Sequence, residues 1–144
     1  MRKFLFLMGF VMMSIFSFGQ VGAKIEFLAK ENTIDFGLIS KDSDSGIRVF
    51  EFRNTGDLPL IISNVQSTCG CTVVTKPTEP VLPGKIGKID VKYNMNPGPI
   101  RKTITVESNA VNVSGGMVAL KIKGEVIVKE AVNLLEKQKP IPKN

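Results

Sequence analysis

Hydrophobic and polar residues alternate along most of the chain, in five separate runs at residues 34–38, 50–53, 89–93, 103–107 and 118–128. A period of two is typical of a β-strand with one buried and one solvated face. The pattern predicts that six side chains point into a core: Phe50, Phe52, Ile89, Val91, Leu120 and Ile122. Helical spacing occurs only weakly, near the end, at Ala131, Leu134 and Leu135.

Turn-forming residues separate these runs. They occupy residues 54–59, 77–84 and 96–99, which are rich in Asn, Gly and Pro. About seven short strands with a turn every 8 to 12 residues predict an all-β, immunoglobulin-like β-sandwich. An eight-stranded barrel is the alternative, although the strands are uneven in length. The chain is not an antibody-type domain, because two cysteines two positions apart cannot bridge opposite sheets.

The first 23 residues have the pattern of a signal peptide. Arg2 and Lys3 precede an apolar run at 4–18, which is shorter than the ~20 residues that span a bilayer. Small residues allow cleavage before Gln20 or before Lys24. We therefore expect a signal peptide at 1–23, a domain at 24–128 and a flexible, polar tail at 129–144, in a periplasmic or secreted protein without stable membrane insertion. A retained N-terminal anchor is the alternative.

Composition narrows the function classes. The 144 residues include no histidine, which excludes Ser-His-Asp and Cys-His triads and histidine-ligated metals. The formal net charge is +6, and it falls to +4 once Arg2 and Lys3 are removed with the leader. The remaining basic residues are scattered along the sequence, there is no tryptophan, and Tyr93 is the one tyrosine. We therefore expect no nucleic-acid partner and no enzymatic activity.

Four ordered motifs carry a resemblance to a known family. They are F-x-N-T-G at 52–56, S-x-C-G-C-T at 67–72, P-x-x-P-G at 80–84 and I-x-V-x-S-N-A at 104–110. Together they resemble an exported bacterial domain of unknown function, conventionally numbered 1573. The resemblance covers about 34–128. It implies an immunoglobulin-like module of the hydin and major-sperm-protein type, a class of interaction and scaffold domains, and it implies no particular reaction.

Cys69 and Cys71 are the candidate chemical site, with Thr68, Gly70 and Thr72 as supporting residues. On a regular strand their Cα atoms would lie about 6.6 Å apart, at the outer edge of the disulfide range, unless Gly70 allows the backbone to contract. Three interpretations stay open: two buried free thiols bordered by hydrogen-bonded threonines, a redox-active pair, or a soft Cu(I) site. The first is the expected one. A closed zinc site would require a dimer.

The residues therefore favour an exported cell-envelope binding or scaffold module without a cofactor. Its partner would be a protein or an envelope polysaccharide, and exposed strand edges offer a route by strand addition. The alternative is a periplasmic thiol-redox or Cu(I)-binding protein that uses the Cys-Gly-Cys motif.

Overall fold

The computed structural model describes residues 19–129. This part of the chain forms eight β-strands: β1 (Ile25–Phe27), β2 (Thr33–Ser40), β3 (Ile47–Asn54), β4 (Ile62–Ser67), β5 (Thr72–Thr75), β6 (Ile86–Tyr93), β7 (Gly98–Ser108) and β8 (Met117–Ile127). The weak helical pattern, most of the proposed leader and all but the first residue of the tail lie outside the described residues. Within 19–129, no helix is long and apolar enough to cross a membrane.

The strands form two four-stranded sheets. One has the order β1-β3-β6-β5 and is antiparallel, and the other has the order β2-β8-β7-β4. In the second sheet β2 runs parallel to β8, whereas the other neighbours are antiparallel. The chain changes sheet five times, at each connection from β1 to β5 and again between β6 and β7. The predicted immunoglobulin-like sandwich is therefore confirmed.

The core lies between the inner faces of the two sheets. All six side chains predicted to point inward are buried, and all six are at most 1% exposed. The Phe27 ring packs edge-on against Phe50 and lies tilted against Phe52, with centroids 6.4 and 5.5 Å away. The period-two pattern of β3, β6 and β8 is thus explained by apolar burial, which is the main favourable contribution to folding.

The alternation of β2 was interpreted wrongly. The pattern grouped Leu38 with Phe36 on one face, but Leu38 is 67% exposed and its neighbour Ile39 is only 9% exposed. A β-bulge causes this change, because the pairing with β8 shifts register between Asp35 and Leu38. Gly37 takes a left-handed φ of 68° there, and its N–H donates to Asp35 Oδ1 at 2.8 Å. One extra residue moves the following side chains to the opposite face.

Asn54, in the F-x-N-T-G motif, is completely buried and fully hydrogen-bonded. Its side-chain Nδ2 donates to the carbonyls of Leu58 and Val81, at 2.7 and 2.9 Å. Its Oδ1 accepts from the amides of Gly56 and Lys24, at 2.9 and 3.3 Å. One side chain therefore joins the N-terminal segment, the loop after β3 and the loop before β6. Since Val81 belongs to P-x-x-P-G, two of the four motifs stabilise each other.

The late motif I-x-V-x-S-N-A has a similar structural role. Ser108 Oγ donates to the Gly116 carbonyl at 2.9 Å. Asn109 Oδ1 accepts from the Ile61 amide at 2.8 Å, and Asn109 Nδ2 donates to the Pro59 carbonyl at 3.0 Å. These bonds tie the end of β7 to the segments before β4 and β8. Three motifs thus position loops, which leaves Cys-Gly-Cys as the motif with unassigned chemistry.

Candidate functional site

Cys69 and Cys71 lie in the four-residue connection, 68–71, that carries the chain from β4 in one sheet to β5 in the other. Backbone hydrogen bonds fix both ends of this corner. The Thr68 N–H donates to the Thr103 carbonyl of β7 at 3.1 Å. The Asn94 N–H, just after β6, donates to the Cys71 carbonyl at 3.0 Å. The motif is therefore held between neighbouring strands of both sheets.

The two cysteines are joined by a disulfide, and their Cα atoms are 5.3 Å apart. This separation is shorter than on an extended strand and lies well within the disulfide range, because the chain turns at 70–71. The expectation of two buried free thiols is therefore wrong: the sulfurs are bonded to each other, and both residues are half-buried. The turn at 70–71 shortens this distance, which the spacing alone left open, and makes the bond feasible.

The supporting residues differ in their roles. Thr72 is buried, and its Oγ1 lies 4.0 Å from Cys71 Sγ, whereas the exposed Thr68 accepts from the Thr103 amide at 3.5 Å. Apart from the two adjacent cysteines, a Cβ built on Gly70 would meet no heavy atom within 4 Å, and Gly70 does not have a left-handed φ. Glycine is therefore required here neither by close packing nor by a left-handed backbone.

Ser67, the first residue of S-x-C-G-C-T, was not predicted as a site residue. Its Oγ is buried and has no hydrogen-bond partner among residues 19–129. Ser67 pairs with Ile104, whose side chain is in the core, so the hydroxyl is on the inner face of β4. Neither the position nor the missing partner has a signal in the sequence, because both depend on the pairing of β4 with β7.

No group of three or more His, Cys, Asp and Glu side chains in the described part of the chain is arranged to hold a metal ion. In the turn after β2, the carboxylate of Asp44 forms an ion pair with Arg48. Asp44 Oδ2 accepts from Arg48 Nη2 at 2.8 Å, and Asp44 Oδ1 accepts from the Gly46 amide, also at 2.8 Å. The Arg48 guanidinium, and then the Gly46 amide, lower the pKa of Asp44 from its ordinary value of 3.8.

Known structures share this architecture. A protein of unknown function from Porphyromonas gingivalis W83 superposes with a TM-score of 0.60 at 17% identity, over 72% of this chain and 46% of that one. The PapD-like domain 7 of human CEP192 gives a TM-score of 0.56 at 12% identity, over 78% and 92%. The YadV chaperone gives 0.50 at 11% identity, over 74% and 52%. The chain therefore spans about half the length of two of these three proteins.

The two sheets and these neighbours define the chain as a PapD-like, immunoglobulin-type β-sandwich. The model of the family described as "Protein of unknown function (DUF1573)" matches residues 27–126, and the chain belongs to that family. The resemblance stated from the four motifs is thus confirmed. No curated protein matches the sequence significantly.

Proposed function

We propose that the protein is an exported binding module of the cell envelope that holds an extended segment of a partner protein along the open edge of β4. It acts by binding rather than by catalysis. An unpaired strand edge offers a row of N–H and C=O groups, and a peptide can add to the sheet there by main-chain hydrogen bonds. The single observation that carries the proposal is the direction of the backbone groups of β4.

These directions follow from the pairing of β4 with β7. In an antiparallel pair, successive residues bond alternately to the partner strand and to the opposite side. The Thr68 N–H bonds to β7, so the backbone N–H and C=O of Gln66 point toward β7 as well. The backbone groups of Val65 and Ser67 therefore point outward. The described residues contain no second strand paired with β4. Lys76 Nζ donates to the Ile62 carbonyl at 3.1 Å, which covers one end of this edge.

The other three edges are less suited to strand addition. At β1, the Asn112 carboxamide exchanges two hydrogen bonds with the backbone of Ile25, both of 2.9 Å, so this three-residue edge is occupied. The edge of β2 is interrupted by its bulge at Gly37, and β5 has only four residues. Bulges and short edge strands are known to oppose edge-to-edge pairing. These features favour β4 as the docking edge.

A photo-crosslinking experiment tests this proposal. A benzophenone-bearing residue replaces the exposed Gln66 in the exported protein, and the matched control replaces Lys88, an exposed position on the other sheet. We expect crosslinks to a partner from position 66 and not from position 88. Equal crosslinking from the two positions would contradict docking at β4.

Proline variants then test the hydrogen-bond direction. Ser67→Pro removes an outward N–H and a hydroxyl without a partner, so it should abolish the crosslink while the fold persists. Gln66→Pro removes an N–H that faces β7, so it should instead lower the melting temperature. Retained crosslinking in a folded Ser67→Pro protein would show that strand addition is wrong.

A second candidate function is thiol–disulfide exchange at Cys69–Cys71, and the half-exposed disulfide favours it. Closing a loop of only three residues contributes about 1.6 kcal/mol by the loop-entropy expression, so the bond is a weak structural crosslink. A thiolate of a dithiol partner would attack one sulfur and form a mixed disulfide, releasing the other as a thiolate. The second partner thiol would resolve it, which leaves the partner oxidised and this chain reduced.

Cu(I) binding at the same site would require the reduced cysteines, because thiolates are the ligands of a soft ion. Free-thiol titration before and after reduction separates the possibilities. Redox function predicts no thiols before reduction, two afterwards, and a trapped mixed disulfide in Cys71→Ser. Two freely alkylated thiols in protein taken directly from the exported fraction would contradict a resident disulfide. Cu(I) uptake by the reduced protein that is absent from the double variant Cys69→Ser with Cys71→Ser would support Cu(I) binding.

A further inference from the structure

An open groove of about 710 Å³ lies against β2, β7 and β8. Two cross-strand rows of paired residues contribute to it: Asp35, Lys123 and Arg101 in one row, and Thr33, Lys121 and Thr103 in the other. In the antiparallel pair of β7 and β8, directly opposite residues have Cβ atoms about 4.5–5.5 Å apart, and the register of β2 with β8 extends each row across the sheet. The groove lies on a face of the sheet and is therefore separate from the edge of β4.

Positive charge is concentrated in this groove. Four basic residues on this side line it, Lys30, Arg101, Lys121 and Lys123, against two acidic residues, Glu31 and Asp35. Lys102 also borders the groove, but it pairs with the buried Ile122 and therefore lies on the inner face of β7. The difference of +2 is most of the net charge of +3 that residues 19–129 carry, with 14 basic and 11 acidic residues. The basic residues looked scattered along the sequence, but the fold brings four of them together.

The groove contains more positive charge than its own acidic groups neutralise. Asp35 Oδ2 lies 3.4 Å from Lys123 Nζ, and this is the one ion pair found among the lining residues. The Gly37 amide above all, with help from Lys123, lowers the pKa of Asp35 from 3.8, so Asp35 is ionised at neutral pH. Arg101 lies directly opposite Lys123, and like charges in that position are destabilising. A bound anion would relieve this repulsion.

We propose that the groove binds an acidic polysaccharide through the carboxylates of its uronic acid residues. The guanidinium of Arg101 suits a planar carboxylate, and Lys121 pairs with Thr33 and Thr103, whose hydroxyl oxygens suit the hydroxyls of a sugar. Thr33 Oγ1 already donates to the Glu31 carbonyl, so it serves as an acceptor. The volume is in the range of small-ligand sites and accommodates a few sugar units. The lining residues include no aromatic side chain, so charge rather than ring stacking provides the recognition.

Other polyanions fit this groove less well. An extended acidic peptide would gain no ladder of main-chain hydrogen bonds, because the groove is on a sheet face. A lipid surface would need apolar side chains to insert, and Ile122, the one large apolar residue of the lining, is buried. Single-stranded nucleic acid normally requires aromatic platforms for its bases. Each of these ligands serves as a comparison in the experiment.

Isothermal titration of the exported protein with tetragalacturonate tests the proposal. We expect binding that weakens as salt is raised, and at least a tenfold loss of affinity in Arg101→Gln with Lys121→Gln. Lys92→Gln, an exposed position on the other sheet, is the matched control and should bind like the wild type. Asp35→Asn keeps an oxygen for the Gly37 amide but releases Lys123, so it should bind severalfold more tightly.

Comparison ligands test which chemical class of ligand the groove binds. Neutral galactotetraose should not bind, and polyglutamate, phosphatidylglycerol vesicles and a single-stranded oligonucleotide should bind more weakly than tetragalacturonate at equal salt. Tighter binding of any of these, or equal loss in Lys92→Gln and in the groove variant, would overturn the proposal. Because Ser67→Pro leaves the groove intact, it should still bind tetragalacturonate. Failure of this test and failure of the β4 docking test are thus distinguishable.

Discussion

Phe52 and Gly87 lie opposite each other on β3 and β6, and their sizes are complementary. Phe52 is completely buried. A Cβ on Gly87 would overlap Cζ of the Phe52 ring and would lie 2.8 Å from both Phe52 Cε2 and Val81 Cγ2. Phe52→Ala should therefore cost about 3–5 kcal/mol through lost transfer energy and a cavity. Gly87→Ala should cost about 1–3 kcal/mol through overpacking.

The double variant provides the sharper test. Once the ring is gone, the methyl group added at position 87 enters vacated space. The losses of unfolding free energy in the two single variants should therefore sum to at least ~1 kcal/mol more than the loss in the double variant. Urea denaturation of the exported protein gives these values, since a loss of ~3 kcal/mol lowers the midpoint by about 1–3 M for a typical small-domain slope. Gly70→Ala is the matched glycine control and should be neutral, because its φ is not left-handed and, apart from the two adjacent cysteines, nothing lies within 4 Å of its Cβ position. Additive costs, or an unchanged midpoint in Phe52→Ala, would refute this packing.

Three further predictions concern other parts of the fold. Asn54→Ala removes four hydrogen bonds from a buried position and should cost at least ~3 kcal/mol in the same urea assay, so a loss below ~1 kcal/mol would contradict its bracing role. A leader of 1–23 would leave Lys24 as the first residue, but the structure favours the earlier cleavage site, because Gly22 bonds to Asp57 and Ala23 is 2% exposed in the core. N-terminal sequencing of the exported protein should therefore find Gln20. The stability difference between wild type and Asp44→Asn should be constant from pH 8 to 5 and shrink below about pH 4. The reason is that a carboxylate with a lowered pKa in the folded state stabilises the fold only while it stays ionised. A difference that instead grows under acid would be inconsistent with the Arg48 pair.

The long strands were predictable, because the alternation that identifies each one lies in its own residues. Phe50 and Phe52 in β3, and Leu120 and Ile122 in β8, alternate with polar residues because each strand buries one face. In contrast, β1 has three residues, too few to show a period. The bulge at Gly37 had a signal, since an isolated glycine in a strand pattern often marks one, but the alternation through Leu38 concealed it.

The candidate sites depend on contacts between distant parts of the chain, and this limits prediction. The spacing of Cys69 and Cys71 left their bonding open, because the outcome depends on the turn between β4 and β5. Lys30, Arg101 and Lys121 are far apart in the sequence and meet only through the pairing of β2, β8 and β7. The parallel pairing of β2 with β8 has no local signature, so the groove was missed.

Residue-resolved amide hydrogen exchange tests the open edge of β4 most directly. In the protein alone, the Gln66 amide should be protected by its bond to β7, while the Val65 and Ser67 amides exchange rapidly. Addition of the partner identified by crosslinking at position 66 should protect Val65 and Ser67 and leave Gln66 unchanged. If Val65 and Ser67 are already protected without a partner, or stay unprotected with it bound, β4 is not the docking edge.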